Sequence, residues 1–320
     1  MLETPVAFLI FNRPDHTAQV FAEIARAKPT KLLVIADGPR DADEAEICAR
    51  TRAEIKVDWD CELITNYSEV NLGCRNRVSS GIDWIFTKVE EAIILEDDCV
   101  PHPTFFAYCE KMLDKYRDDS RVMMVTGSNW LTEPLDVPES HVFSRYANIW
   151  GWATWRRAWS LYDVDMKMWP EYRRQGRLLE IIQEPRVRTY FQEVWDGIDA
   201  INTWDFQWSF CCLFNNGLCV VPNVNLISNV GVFGAHFHGG ITNIGLPTHP
   251  FDLENNVDPT AVAADPRYDG PLFATNPVFE SHKDAPPLTR FLKNPGGSIV
   301  RYLKLALYPI YRLFRRTPAN

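Results

Sequence analysis

Nowhere in the chain do about 18 uncharged apolar residues run together, as a membrane-spanning helix needs. The N-terminal Met1-Leu-Glu-Thr-Pro also lacks the basic region and apolar run of a secretory signal. A cytoplasmic protein is expected. Cysteines number eight and include no C-x-x-C spacing, which fits neither a zinc finger nor a disulfide framework. They read as reduced core thiols. Basic residues are in deficit, 33 Lys plus Arg against 42 Asp plus Glu, and the formal charge of -9 repels a polyanion. No nucleic-acid partner is expected. The fingerprints G-x-x-x-x-G-K-[ST] and G-x-G-x-x-G are both missing, so neither a P-loop nor a dinucleotide Rossmann turn is encoded. No internal repeat is visible. What is present is an ordinary globular balance of 46% hydrophobic and 23% charged residues in 320. Eleven tryptophans, several beside polar or acidic residues, hint at flat amphipathic ligands such as sugars.

The first third alternates short apolar runs with amphipathic stretches, the pattern of βαβ units and a mostly parallel sheet. Strands are predicted over 6–11, 32–36, 61–65, 92–95 and 122–125, with helices between them. Asp15 is read as the first helix's N-cap, and Pro103 as part of the first turn of the fourth. From Asn129 onward the periodicity weakens. Helices over 178–182 and 187–194 and a strand over 218–221 are the readable elements. The Pro-rich segment 243–288 is either a substrate-covering flap or loose wrapping. The tail 298–316 interleaves apolar residues with five basic ones, and either lies on an anionic membrane surface or docks on the domain.

Ligands of open α/β sheets bind at the carboxyl ends of strands, and here those ends carry Asn12-Arg13, Asp37 and Glu96-Asp97-Asp98. Three consecutive acids repel one another, which a hard cation such as Mn²⁺ or Mg²⁺ relieves through oxygen ligands. A solvated acidic turn capping the next helix is the alternative. Asn71-Leu72-Gly73-Cys74-Arg75-Asn76-Arg77 opens a helix with two arginines, where backbone N–H groups and guanidiniums could meet a diphosphate; a solvated helix start carries the same residues. Trp150 to Trp155 and Trp204-Asp205-Phe206-Gln207-Trp208 bracket polar groups with indoles on which a sugar ring could stack, or which form aromatic core under a loop. Desolvation between two indoles would raise Asp205 toward a useful general base. His236 and His238 lie in a loop-like string from which a metal ligand could come.

In order, the strings N-R-P-D, A-D-G-P-R, N-L-G-C-R-N-R, I-L-E-D-D-C-V-P-x-P-x-F-F, W-G-W-A-T-W-R-R-A-W, W-D-F-Q-W and N-V-G resemble the bacterial GT-A-fold glycosyltransferases. These family 2-like enzymes include chains described as hemolytic-protein-like. More distantly the chain is similar to the N-acetylglucosaminyltransferases that begin complex N-glycans, which share an E-D-D triad before a P-x-F-F helix and a later W-D-x-W segment. The resemblance spans roughly Pro5 to His238. It implies a GT-A (Rossmann-like) α/β fold, with a mostly parallel or mixed sheet flanked by helices, over residues 1–290. The nucleotide-sugar half would cover 1–128 and the acceptor half 129–290, with a basic amphipathic tail over 291–320.

It further implies that Asn12, Arg13, Asp37, Arg75, Arg77, Glu96, Asp97 and Trp204 hold the donor, that Asp98 ligates Mn²⁺ or Mg²⁺ with His236 as a second candidate, and that Asp205 is the base of an inverting transfer. The expected partners are a nucleotide-diphospho-sugar, a UDP-sugar first, and a glycan or glycolipid acceptor; the setting the resemblance implies is surface polysaccharide synthesis, with peripheral contact at the inner face of the membrane. Two rivals remain: a sugar-nucleotide nucleotidyltransferase, which would want a Gly-rich loop with a Lys where this chain has Asn12-Arg13-Pro14-Asp15, and a non-catalytic carbohydrate- or membrane-binding protein.

Overall fold

The computed structural model describes residues 1–131, 135–231 and 246–275. The described residues divide into two compact units, one of residues 1–131, 135–166, 202–231 and 246–271 and one of 167–201 and 272–275. The first unit is an α/β sheet protein. Its strands are β1 (Val6–Ile10), β2 (Lys31–Ala36), β3 (Glu62–Tyr67), β4 (Glu91–Glu96), β5 (Cys99–Pro101), β6 (Val122–Thr126), β7 (His141–Ser144), β8 (Trp152–Trp155), β9 (Leu218–Pro222) and β10 (Ile227–Asn229). Eight of them form one mixed sheet in the order β3-β2-β1-β4-β8-β6-β9-β7, while β10 and β5 pair separately. The first four run parallel. β8 enters antiparallel between β4 and β6, and β9 is parallel to β6, so β6 and β9 point the same way as the first four.

The central strands are buried on both faces, as parallel strands covered by helices must be, and β1 is the unbroken apolar run Val-Ala-Phe-Leu-Ile. Between the strands of this half lie α1 (Pro14–Ala27), α2 (Ala42–Ala53) and α3 (Gly73–Phe86), followed by α4 (Phe105–Tyr116). Pro14 fixes the first turn of α1 and Arg13 is its N-cap residue, so Asp15 does not cap the helix as expected. It sits in the first turn, where its charge suits the helix dipole. Pro103 lies before α4 and outside its first turn, where it was expected, because the helix starts only at Phe105; Phe105, Cys109, Met112, Leu113 and Tyr116 face the core at helical spacing.

The later part of this unit holds α5 (Arg156–Trp159). The second unit holds α6 (Trp169–Gln175), α7 (Leu178–Ile181) and α8 (Pro185–Asp196), whereas α9 (Asp205–Phe214) and most of α10 (Pro266–Thr275) belong to the first. The three helices of the second unit gather Trp195 between Trp169 and Phe191, with ring centroids 5.2 and 5.0 Å away. Back in the first unit, residues 246–271 wrap the sheet domain rather than standing off it. Phe251 packs on Tyr108 at 4.7 Å, and both Phe251 and Tyr268 are buried. Gly151 carries the tight entry into β8. Its φ is +58°, and a Cβ there would meet Ile227 Cδ1 at 2.3 Å.

Candidate active site

β1 and β4 are neighbours with Leu9 opposite Glu96, so the residues that follow them leave the sheet at one carboxyl edge. There the Arg13 guanidinium forks over two acids, donating from one nitrogen to Asp97 and from the other to Asp98 Oδ2 at 2.9 Å. Burial opposes the Arg13 charge, but Asp97 and Asp98 outweigh it and hold the guanidinium above its ordinary pKa. One cation does not balance three acids. Burial, then Asp98 and Asp97, push Glu96 up to about 8. Burial also raises Asp97, to about 6, against the pull of Arg13. Glu96 Oε1 and Asp97 Oδ2 are buried without a hydrogen-bond partner among the described residues. Among the described residues, Arg13 is the cation that pairs with Asp97 and Asp98.

Asp205 opens α9 and accepts the Thr203 hydroxyl. Its charge helps to raise Glu96 and also Cys74, which brings the two carboxylates within electrostatic reach of one another. The Cys74 thiol is pushed up by burial, then by Glu96 and Asp205, so it is no nucleophile. On the other side of Asp98 lies the segment after β10. The Val230 N–H donates to the Asp98 carbonyl at 2.8 Å, and His16 Nε2 lies 3.2 Å from the Val230 carbonyl.

The oxygen donors suit a hard divalent ion held by one protein carboxylate, not by a protein cage. Among the described residues no three His, Cys, Asp or Glu could enclose an ion. Among the described residues Asp98 Oδ1 has two long contacts, 3.4 Å from Asn229 Nδ2 and 3.4 Å from Cys99 Sγ, which leave it acceptor capacity.

Other expected donor residues are engaged elsewhere. Asn12 donates to Glu44 at 2.7 Å. The buried Asp37 carboxylate accepts backbone N–H bonds from Gly38 and Leu72, both 2.9 Å, and from Gly73, 3.0 Å, tying the Asn71-Leu72-Gly73 loop to the end of β2. The Arg75 N–H donates to Asn202 Oδ1 at 3.0 Å and its guanidinium to the Val164 carbonyl at 2.8 Å. The helix start read as a diphosphate cradle therefore has its Gly73 and Arg75 amides filled by Asp37 and Asn202. Arg77 is buried and donates to the Ala36 carbonyl at 3.1 Å and to the Asn66 carbonyl, clamping the ends of β2 and β3.

Trp204, expected against the donor, is 2% exposed and stacks on Trp152 with centroids 5.6 Å apart and planes at 22°. With Trp159 and Trp208 it forms an indole core and offers no face to a ligand. His236, like the tail 298–316, lies outside the described residues. No helix among the described residues is long and apolar enough to cross a membrane. Sequence reasoning passed over Thr203, Asn202, Asn229 and Gly231, which meet the site through turns; only the N-V-G string hinted at the last two.

No protein-family model matches the chain, and no curated protein matches it in sequence. Among solved structures it is similar to the mannosyltransferase PcManGT of Pyrobaculum calidifontis, described in complex with GDP-Man and Mn²⁺, at 13% identity over 67% of this chain and 71% of that one, TM-score 0.38. It is also similar to a UDP-glucose pyrophosphorylase complexed with UDP-glucose, at 8% identity over 69% and 90%, TM-score 0.34. Likenesses this distant assign no ligand to this chain.

Proposed function

We propose that the chain is an inverting, metal-assisted glycosyltransferase that moves a sugar from a nucleotide-diphospho-sugar to an acceptor hydroxyl. The observation that carries the reading is the meeting of Arg13, Asp97 and Asp98, beside Glu96, at one carboxyl edge of a largely parallel sheet, where ligands of such sheets bind. A Mn²⁺ or Mg²⁺ ion bound at Asp98 would supply positive charge for the departing diphosphate. Arg13, with one guanidinium nitrogen already beside Asp98, can turn toward the same oxygens, and Glu96 can accept from the donor's hydroxyl groups.

Asp205 takes the acceptor hydroxyl's proton as that oxygen bonds to the anomeric carbon. The bond from that carbon to the diphosphate oxygen breaks, its electron pair leaves with the diphosphate, and the configuration inverts. The Thr203 hydroxyl holds the Asp205 carboxylate in position for this step. A UDP-sugar donor, a glycan or glycolipid acceptor, and membrane contact through the tail belong to the same proposal.

Calorimetric titration of nucleotide sugars with Mn²⁺ and an assay of turnover test the roles separately. Asp98→Asn is expected to weaken donor binding at least about tenfold, the loss of one charge-assisted contact. Asp205→Asn is expected to keep donor affinity while turnover falls about 10²–10⁴-fold. Near wild-type turnover by Asp205→Asn would remove it as the base.

A further inference from the structure

Most indoles around the sheet are committed to the core: Trp152, Trp155, Trp159, Trp204 and Trp208 are 0–3% exposed. Trp130 and Trp150 differ. Both are only half-buried, and their rings lie 5.4 Å apart at 54°. Trp152 pairs with Ile94 on one side and Thr126 on the other, and the Gly127 N–H donates to the Gly151 carbonyl at 2.7 Å, so the segments after β6 and before β8 leave the sheet side by side at the carboxyl edge that carries Glu96. Trp130 follows Thr126 by four residues at the same edge. The pair thus stands on the β8–β6 side of the acidic cluster, while Arg13 stands on the β1 side.

A network of buried polar groups fixes this corner. Ser128 Oγ donates to the Trp150 carbonyl at 2.7 Å, and Asn129 donates from its side chain to the Pro222 carbonyl at 2.9 Å and from its backbone to Asn225 Oδ1 at 3.1 Å. The Tyr268 hydroxyl accepts from Asn148 Nδ2 at 3.1 Å and from the Trp130 backbone N–H at 3.5 Å. Ser128, Asn129, Asn148 and Tyr268 are all at most 2% exposed. An aromatic pair serving only as core filling has no need of such support, whereas a ligand platform does, because it must hold its rings still while they stay open to solvent.

We infer that Trp130 and Trp150 seat a pyranose ring of the acceptor, an assignment that rests on the transferase reading. The tilt makes a corner rather than a sandwich, so one indole takes the C–H face of the sugar and the other its edge, with the polarised C–H groups on the negative face of the ring system. The site lies across the acids from Arg13, the cation suited to the donor's phosphates. That separation suits a neutral acceptor ring whose hydroxyl is directed at the cluster.

The test is the indole N–H spectrum of the ¹⁵N-labelled full chain titrated with methyl β-glucopyranoside, methyl α-mannopyranoside and methyl N-acetyl-β-glucosaminide, with the two signals assigned through Trp130→Phe and Trp150→Phe. At least one glycoside is expected to move both signals and leave those of the core indoles in place. Trp150→Ala should weaken that glycoside at least about tenfold, with the unmoved core signals reporting that the variant is folded. Should that variant not fold, the Trp150→Phe protein must still bind more weakly than wild type. Turnover of nucleotide sugars is followed in parallel. If donors are turned over while no glycoside moves either indole, the platform is overturned and the transferase reading stands. If glycosides move both indoles and no donor is turned over, the sugar site stands and the transferase reading falls.

Discussion

Gly231 lies so close to Asp98 that a Cβ on it would sit 2.1 Å from Asp98 Oδ2, the oxygen that accepts from Arg13. The end of a side chain yields more readily than backbone, so Gly231→Ala moves the carboxylate and parts it from Arg13. Stability should stay within about 1 kcal/mol of wild type, while donor affinity falls about tenfold with the loss of one charge-assisted contact. Urea denaturation and a donor-binding isotherm measure the two. Unchanged donor affinity would take Asp98 out of the donor site.

Arg77 is expected to act on stability. Its guanidinium donates to the Ala36 and Asn66 carbonyls at the ends of β2 and β3, and Arg77→Leu removes these bonds, leaving the Ala36 carbonyl the Ser68 N–H alone. A loss of about 2–4 kcal/mol in urea denaturation follows. A variant of normal stability that fails to bind nucleotide sugar would return Arg77 to the donor contacts.

Asp269 makes one part of the stability depend on pH. Burial raises its carboxyl to about 6, although the Ser144 hydroxyl donates to it at 2.6 Å. Between the unfolded value of about 3.9 and that folded value, the native state holds a proton that the unfolded chain has released. The contribution of this group therefore declines as pH rises through the window. Asp269→Asn should remove that decline, a difference of at most about 3 kcal/mol between pH 4 and 7. Identical pH slopes for variant and wild type would contradict the assignment.

The parallel half was legible because β1, β2 and β4 are buried on both faces and therefore read as apolar runs bounded by polar turns. β8 was not. Trp-Ala-Thr-Trp has neither alternation nor an aliphatic run, and its place between β4 and β6 depends on partners far away in the chain. The three-residue strands β5 and β10 leave even less trace. Within the site, the mutual repulsion of Glu96, Asp97 and Asp98 was evident from their adjacency. Its relief by Arg13 crosses 84 residues to Asp97 and has no local signature. Asp37 and Arg77 looked like ligand contacts because their partners are backbone groups, which any residue supplies and no sequence pattern marks.

Sugar transfer from a nucleotide-diphospho-sugar is read from the nucleotide product formed from a panel of UDP-, GDP- and dTDP-sugars with Mn²⁺, resolved chromatographically. Free nucleoside diphosphate should appear from at least one donor, disappear on chelation with EDTA, and fall sharply in Asp98→Asn. No nucleoside diphosphate from any donor, or nucleoside triphosphate formed from a sugar nucleotide and added pyrophosphate, would contradict the account; the second result would make the chain a nucleotidyltransferase.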